Sequence, residues 1–351
     1  MPISTCLSPL PPLQPGDMLA NGKYEIIELT HNPGGFGRIY RAYGGRMYHN
    51  GSREIFAIKE FYVREYDDLR WDSMLSYTRN MSIRDYELLI AKFYMEAKML
   101  SLLYSRYDNH MPKIYGQVWE EPDGRLLYAM TYVKGSTMRE LMESHEKGYT
   151  MPEEMAVDYI VQIGKVLHKS HVMGLVHADV SPNNIMKKNH SNYAVLVDWG
   201  NAKSYNDELV LKSLNRTELE FFQPYQEDLD QALSHVGNQQ EPWDEELPMS
   251  ATWGYTAPEE FWGKPQADVY SLAATLFYLL TGECPMELTD EGHINRAYRM
   301  LEEHNVSPTT TKAILHAMNV YKGLGTESIK EFLTELPQDI VINTLLKYQD
   351  H

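Results

Sequence analysis

The chain has 351 residues and is 43% hydrophobic, which is enough for a sizeable core and more than one typical domain. Its 49 acidic against 32 basic residues leave a formal charge of −17. That argues against a nucleic-acid binder, which needs clustered Lys and Arg, and fits either basic protein substrates or a simple gain in solubility. Cys6 and Cys284 stand too far apart for a metal or redox motif, and no stretch reads as a signal peptide or a membrane span, so a cytoplasmic protein without a membrane partner is expected.

Residues 1–16 carry Pro2, Pro9, Pro11, Pro12 and Pro15 and read as an extended, poorly ordered lead-in. Strands are expected at 25–29 and 38–42, flanking Asn32-Pro33-Gly34-Gly35-Phe36-Gly37. Pro33 suits the second position of a turn, Gly34 supplies the positive φ of a type II turn, and bare glycines let backbone N–H groups approach phosphate oxygens. A third strand, 55–59, ends in Lys59. Leu89, Phe93, Leu100 and Leu103 then form one apolar helical stripe, and Glu96 falls on it. A carboxylate on a core-facing stripe is costly unless paired, and Lys59 is the expected partner.

Strands at 113–120 and 125–132 are separated by Glu121-Pro122-Asp123-Gly124, a hairpin turn. Beyond residue 136 helical patterns dominate. Met155, Ile160, Ile163, Val166 and Leu167 recur at helical spacing, preceded by Thr150-Met151-Pro152-Glu153, which matches a capping box. Residues 267–281 read as a buried helix, and 310–318 and 327–348 as a helical tail. Residues 206–247 hold eleven acidic residues against Lys212 and Arg216 and read as an exposed insertion, either passive or regulatory, with Ser213, Thr217 and Ser234 among its hydroxyls.

The densest chemistry lies in His177-Ala178-Asp179-Val180-Ser181-Pro182-Asn183-Asn184, followed by Asp198-Trp199-Gly200. One carboxylate suits a substrate hydroxyl, and an Asn and an Asp suit metal ions on a nucleotide, the arrangement of a phosphoryl-transfer site.

Together with Ala257-Pro258-Glu259 and Asp268-Val269-Tyr270-Ser271-Leu272, these motifs stand in an order that resembles the eukaryotic-type (Hanks-type) protein kinases, especially the bacterial Ser/Thr branch, over roughly residues 16–336. Leu13-Gln14-Pro15-Gly16 and Lys59-Glu60-Phe61-Tyr62 are also similar to that branch. Small-molecule kinases share the first motifs but lack a segment like 252–259.

The resemblance implies an α+β, two-lobed protein-kinase-like fold. A small antiparallel-sheet N-lobe with one helix would span 17–132 and a mainly helical C-lobe 133–351, with ATP between them. It implies ATP and Mg2+ (Mn2+ as a substitute) as cofactors, and transfer of the γ-phosphate to Ser/Thr hydroxyls of a protein substrate, the chain itself included. Asp179 would orient the hydroxyl and accept its proton, while Asn184 and Asp198 would hold the metal. Lys59, fixed by Glu96, would grip the α- and β-phosphates. Asn32, Gly34, Gly35, Phe36 and Gly37 would cover the phosphates, and Ile39 and Ala57 would pack on the base. Met130 would be the gatekeeper, and Thr131 to Val133 the hinge that binds adenine. Thr252 would bond near Asp179, and Asp268 would hold the catalytic loop through its backbone.

Five positions depart from the family pattern. Ala178 replaces an Arg that normally pairs with an activation-segment phosphate, so activity is expected not to depend on that contact. Ser181 replaces a Lys, Asn32 a Gly and Trp199 a Phe, and no Arg near 322–328 stands ready for Glu259. Ala178 and Ser181 motivate the alternative of a pseudokinase that binds nucleotide or a partner without catalysis.

Overall fold

The computed structural model describes residues 10–30, 37–47, 51–62, 83–104, 109–206, 209, 252, 254–285, 291–318 and 325–348. They divide into two compact units: 10–104 with 112–133, and 109–111 with the described residues from 134 onward.

The first unit is built on six antiparallel strands: β1 (Met18–Leu19), β2 (Tyr24–Leu29), β3 (Gly37–Met47), β4 (Arg53–Phe61), β5 (Trp119–Glu120) and β6 (Leu126–Thr131), in the order β1-β2-β3-β4-β6-β5. Alternation along the central strands sorts their side chains. Tyr40, Ala42, Phe56 and Ile58 join Tyr24, Ile26, Leu127 and Ala129 in a core on one face. Ile39, Ala57 and Lys59 take the other face, where Lys59 meets Glu96 of the helix α1 (Ile83–Tyr104). There Phe93 packs on Phe61 and Tyr128, with ring centroids 5.6 and 5.0 Å apart. The whole stripe of Leu89, Phe93, Glu96, Leu100 and Leu103 is buried.

The strand expected at 113–120 shrinks to β5 and one isolated bridge between Ile114 and Met130, because Gly116 at φ +93° breaks the extended run. The hairpin turn forms as its sequence suggests, with Gly124 at φ +88° donating its N–H to the Glu121 carbonyl at 2.9 Å. The described part of the lead-in, residues 10–16, is bound to this unit by hydrogen bonds from Arg38 and Arg125 to the Leu10 and Pro11 carbonyls. This part of the lead-in is therefore held, where a poorly ordered one was expected.

The second unit is mainly helical. It opens with β7 (Gly135–Thr137), α2 (Met138–Glu143) and α3 (Glu153–Val172). The short strands β8 (Leu175–Val176), β9 (Ile185–Lys188), β10 (Ala194–Leu196) and β11 (Lys203–Ser204) pair as β10-β9-β7 and β11-β8. A 3-10 turn (Glu259–Phe261) leads into α4 (Pro265–Thr281), α5 (Glu291–Glu303), α6 (Pro308–Met318), α7 (Ile329–Glu335) and α8 (Gln338–Lys347). From Ala267 to its end, α4 is buried on every side, which explains its largely apolar sequence; it stops at Gly282, in the left-handed conformation at φ +75°.

Three expectations fail locally. Pro152, not Thr150, is the N-cap of α3, and no side chain caps it. The Met151 N–H is tied to the Leu279 carbonyl, and the Glu153 carboxylate turns to the Ser307 N–H and the Ser307 and Thr310 hydroxyls. A true capping box sits instead on α2, between Thr137 and Glu140. Met155 is 38% exposed, so the apolar face of α3 begins at Ala156. The tail helix is split at Leu336 and Pro337 into α7 and α8, as expected where a proline interrupts a helical run. The acidic insertion lies outside the described residues apart from Asn206 and Leu209, as do Asn32, Gly34, Gly35 and Phe36. No helix among the described residues is long and apolar enough to cross a membrane.

Candidate active site

In the first unit the buried strand β4 carries Lys59 and α1 carries Glu96, 8% and 4% exposed. The Lys59 ammonium lies 2.7 and 2.8 Å from the two carboxylate oxygens of Glu96. Each of these charges is removed from water and is offset by the other. Gly37 opens β3 beside this pair, where an added Cβ would stand 3.1 Å from Cε of Lys59. Ile39 is the strand partner of Lys59, and Met130 of Ala57. Val133 is buried. The Thr131 N–H donates to the Lys113 carbonyl at 2.8 Å, so the chain ahead of 132–133 is fixed by its own backbone.

In the second unit β8 feeds the loop 177–184, and the hairpin β9-β10 returns the chain to Asp198. Asp179 is the focus. Its Oδ1 accepts from the Thr252 N–H at 3.1 Å and the Thr252 hydroxyl at 2.9 Å; its Oδ2 accepts from Asn184 Nδ2 at 2.9 Å and Asn201 Nδ2 at 3.4 Å. Burial pushes its pKa up to about 6, against the lowering effect of the Thr252 and Asn184 hydrogen bonds and with some help from the charge of Asp198. The Asn184 amide also donates to the Asp179 carbonyl at 2.8 Å, which leaves its own carbonyl oxygen as the atom suited to a cation. Ser181 is fully buried, and its hydroxyl lies 3.2 Å from that of Thr252. Each hydroxyl has one proton, so Thr252 donates to Asp179 and accepts from Ser181.

Asp268, on α4 and fully buried, fixes the loop from behind. It accepts from the His177 N–H, the Ala178 N–H and His171 Nε2, each at 2.8 Å. Burial alone would raise its pKa, but the hydrogen bond and charge of His171, then His177, hold the carboxyl below its ordinary value. These bonds hold Ala178 at φ +63°, a left-handed conformation that costs a non-glycine residue about 1–2 kcal/mol. Asp198 is also left-handed, at φ +59°. Such conformations persist where the surrounding structure over-determines them. The His177 ring accepts the Asp179 N–H at Nδ1 and meets the Val197 carbonyl through Nε2, which assigns the neutral Nε2–H form; burial lowers its pKa accordingly. Trp199 is buried edge-on to that ring, at a centroid distance of 4.7 Å.

Each unit thus brings its own set together: Lys59, Glu96, Gly37, Ile39, Ala57 and Met130 in one, Asp179, Asn184, Thr252 and Asp268 in the other. Glu259 is exposed in its 3-10 turn, in keeping with the missing Arg. His171 and Asn201 belong to the site and were not singled out from sequence. The available signals were a polar residue in the last turn of an otherwise apolar helix face and an amide directly after Asp198-Trp199-Gly200. Among the described residues no three His, Cys, Asp or Glu side chains gather as a self-contained metal cage. Magnesium held largely by phosphates, with one or two protein oxygens, needs none.

The model of the family described as protein kinase domain matches residues 33–224, more than half of the chain. Ser/Thr-protein kinase PknA of Nostoc sp. is 23% identical over 327 residues, covering 93% of this chain and 49% of that protein. PknB of Mycobacterium tuberculosis is 28% identical over 194 residues, covering 54% and 25%, and pkn3 of Myxococcus xanthus is 25% identical over 271 residues, covering 71% and 42%. The chain therefore spans at most about half the length of these curated relatives. Among solved structures, the kinase domain of Mycobacterium tuberculosis PknI superimposes with a TM-score of 0.56 at 16% identity, over 95% of this chain and 99% of that one. The kinase PK-1 of Cydia pomonella granulovirus gives 0.56 at 13% identity, over 90% and 94%. Those likenesses establish the two-lobed kinase fold, and the matched motif region places the chain in the protein kinase domain family.

Proposed function

We propose that this chain is an ATP-dependent Ser/Thr protein kinase that acts on hydroxyls of protein substrates in the cytoplasm and autophosphorylates. The observation that carries the reading is the surroundings of Asp179. Its carboxylate is held by Thr252, which opens the segment running to Ala257-Pro258-Glu259, a feature of protein kinases rather than small-molecule kinases.

The residues fit an ATP–magnesium complex. Lys59 is a buried, carboxylate-anchored ammonium beside a glycine where an added Cβ would crowd its Cε at 3.1 Å. Asn184 and Asp198 offer hard oxygen donors of the kind that magnesium, or manganese in its place, prefers. When bound, that complex supplies the transferable phosphoryl group and the positive charge that offsets it. Lys59 steadies the α- and β-phosphates, and Glu96 keeps the ammonium aimed. Asp179 orients the substrate hydroxyl and takes its proton, while Thr252 and Asn184 hold the carboxylate still. Thr131 to Val133 bind adenine through their backbone, Ile39 and Ala57 cover its faces, and Asn32, Gly34, Gly35, Phe36 and Gly37 close over the phosphates. Ser181 is committed to Thr252, so the charge a Lys would bring to the γ-phosphate is missing and a modest turnover follows.

The test is incubation with ATP and magnesium, alone and with a generic basic protein, beside Asp179→Ala, with phosphosites located by mass spectrometry. Phosphoserine or phosphothreonine that disappears in the variant supports the proposal. Nucleotide binding without any transfer would replace it with a pseudokinase.

A further inference from the structure

Arg38, Tyr40, Glu60 and Arg125 form a buried polar cluster in the first unit that phosphoryl transfer leaves unexplained. Glu60, 2% exposed, accepts from Arg125 at 2.6 Å through Oε1 and from the Tyr40 hydroxyl at 2.6 Å through Oε2, with Arg38 at 3.5 Å. Burial, then Glu60, pushes the Tyr40 hydroxyl well above its ordinary pKa, so it remains a donor. Asp123 takes the Arg125 Nε–H at 2.7 Å, yet two buried guanidinium groups around Glu60 still leave surplus N–H donors, each costly if unmet.

The chain's own N-terminal segment meets them. Arg38 donates to the Leu10 carbonyl at 2.8 Å and Arg125 to the Pro11 carbonyl at 2.7 Å. The Leu13 N–H donates to the Tyr40 hydroxyl at 3.2 Å, and the Leu13 side chain packs on the core of that face. Pro11 and Pro12 suit this role: an extended proline-rich run has no internal hydrogen bonds, so its carbonyls are free to accept. Beyond them, the Gly16 N–H bonds to the Ile26 carbonyl and the Ile26 N–H to the Asp17 carbonyl, both at 2.9 Å, so the segment joins the sheet. The motifs Leu13-Gln14-Pro15-Gly16 and Lys59-Glu60 thus lie on opposite sides of one cluster.

Glu60 follows Lys59 in β4, and the register pairs Arg38 with Glu60 and Ile39 with Lys59. Neighbours in a strand point to opposite faces, so a strand clamped through Glu60 on one face is held for Lys59 on the other. The Arg38 guanidinium also stacks over the Tyr62 ring at 3.6 Å, beyond the end of the same strand. We propose that residues 10–13 are a strap whose docking on Arg38 and Arg125, organised by Glu60 as a positioning residue, holds Lys59 for nucleotide, so that the N-terminal chain sets nucleotide affinity. This rests on the nucleotide role assigned to Lys59 above.

The test uses the full chain, with Leu13→Asp to lift the strap, Glu60→Gln to loosen the cluster and Lys59→Met as reference. ATP–magnesium binding is measured by calorimetry, turnover at saturating ATP, and strap release by hydrogen exchange at residues 13–17. In Leu13→Asp the Kd for ATP rises about 5- to 10-fold, the net worth of roughly one ordinary hydrogen bond lost in positioning, while kcat stays within about 2-fold. Glu60→Gln raises Kd in the same direction. A released strap with unchanged Kd overturns the proposal, as does a kcat that falls in step with affinity, which marks general loosening. If Glu60→Gln does not fold, Leu13→Asp, which leaves the charged cluster intact, decides alone. Wild type that binds no ATP, or Lys59→Met that binds as well as wild type, overturns the nucleotide reading itself and the strap proposal with it.

Discussion

Thr252 gives both its backbone N–H and its hydroxyl to one oxygen of Asp179, at 3.1 and 2.9 Å, across 73 positions of sequence. The proposed base is therefore held by the segment that follows the acidic insertion. Asp179 accepts a proton only when ionised, and its pKa lies near 6, so kcat/KM falls as pH drops through about 6. The Thr252 hydroxyl lowers that pKa. Thr252→Val removes it, so the acid limb of the pH–rate profile moves upward and kcat falls about 10-fold, the worth of roughly one charge-assisted hydrogen bond. An acid limb that stays in place in the variant would show that Asp179 does not govern it.

Lys59 and Glu96 are each buried and each other's counter-ion. Lys59→Met takes the ammonium away from a buried carboxylate and is expected to cost about 3–5 kcal/mol in urea unfolding. The double variant Lys59→Met/Glu96→Leu removes both charges and recovers most of that stability, while phosphoryl transfer stays lost in both. A double variant no more stable than the single one would contradict the pairing as the source of the penalty.

How far these features were legible in sequence depended on whether a residue broke a local pattern. Glu96 interrupts an apolar helical stripe and Lys59 ends an apolar strand, so burial physics alone pairs them. Asp179, Asn184 and Asp198 sit in motifs whose spacing carries their chemistry. By contrast, Asn201 and His171 give only faint signals, an amide after a motif and a polar residue in a last helical turn, and their value comes from partners, Asp179 and Asp268, set by tertiary packing. The strap escaped for the same reason. Pro11 and Leu13 carry no period, and their partners Arg38, Tyr40 and Arg125 lie 27 to 114 positions away. At Thr150 the four-residue pattern of a capping box is present, but the Met151 tie to α4 and the Glu153 bonds to Ser307 and Thr310 override it. The Lys203–Ser204 and Leu175–Val176 pair is two residues long on each side, below what alternation can signal.

Gly135 pairs with Lys188 where β7 meets β9, the strand that follows the 177–184 loop. An added Cβ would stand 2.0 Å from the Lys187 carbonyl oxygen and 2.8 Å from its carbon, both backbone atoms that cannot swing aside. Gly135→Ala is therefore expected to destabilise the second unit by about 2–3 kcal/mol, as overpacking does, and to lower activity through the loop. Gly45→Ala is the control, since its nearest contact is 3.4 Å and its effect on unfolding should be small. Equal unfolding midpoints for the two variants would rule out the close approach of β7 and β9.

Asp268 binds the two N–H groups that shape the loop at His177 and Ala178, together with the His171 ring, so its charge is used for position. Its carboxyl lies below the ordinary value of 3.8. A folded-state pKa below the unfolded one contributes stability that is fully present above about pH 4 and is lost as pH falls through the folded value. Asp268→Asn keeps the shape, but one of its two side-chain positions becomes a donor facing donors. The variant should lose about 2 kcal/mol or more at pH 7, lack that part of the acid dependence of stability, and lose most of its kcat as Ala178 relaxes from its left-handed conformation. Urea midpoints for wild type and variant between pH 3 and 7 decide the matter: the gap between them should close on the acid side, and a constant gap would mean that the Asp268 charge is not what holds the loop.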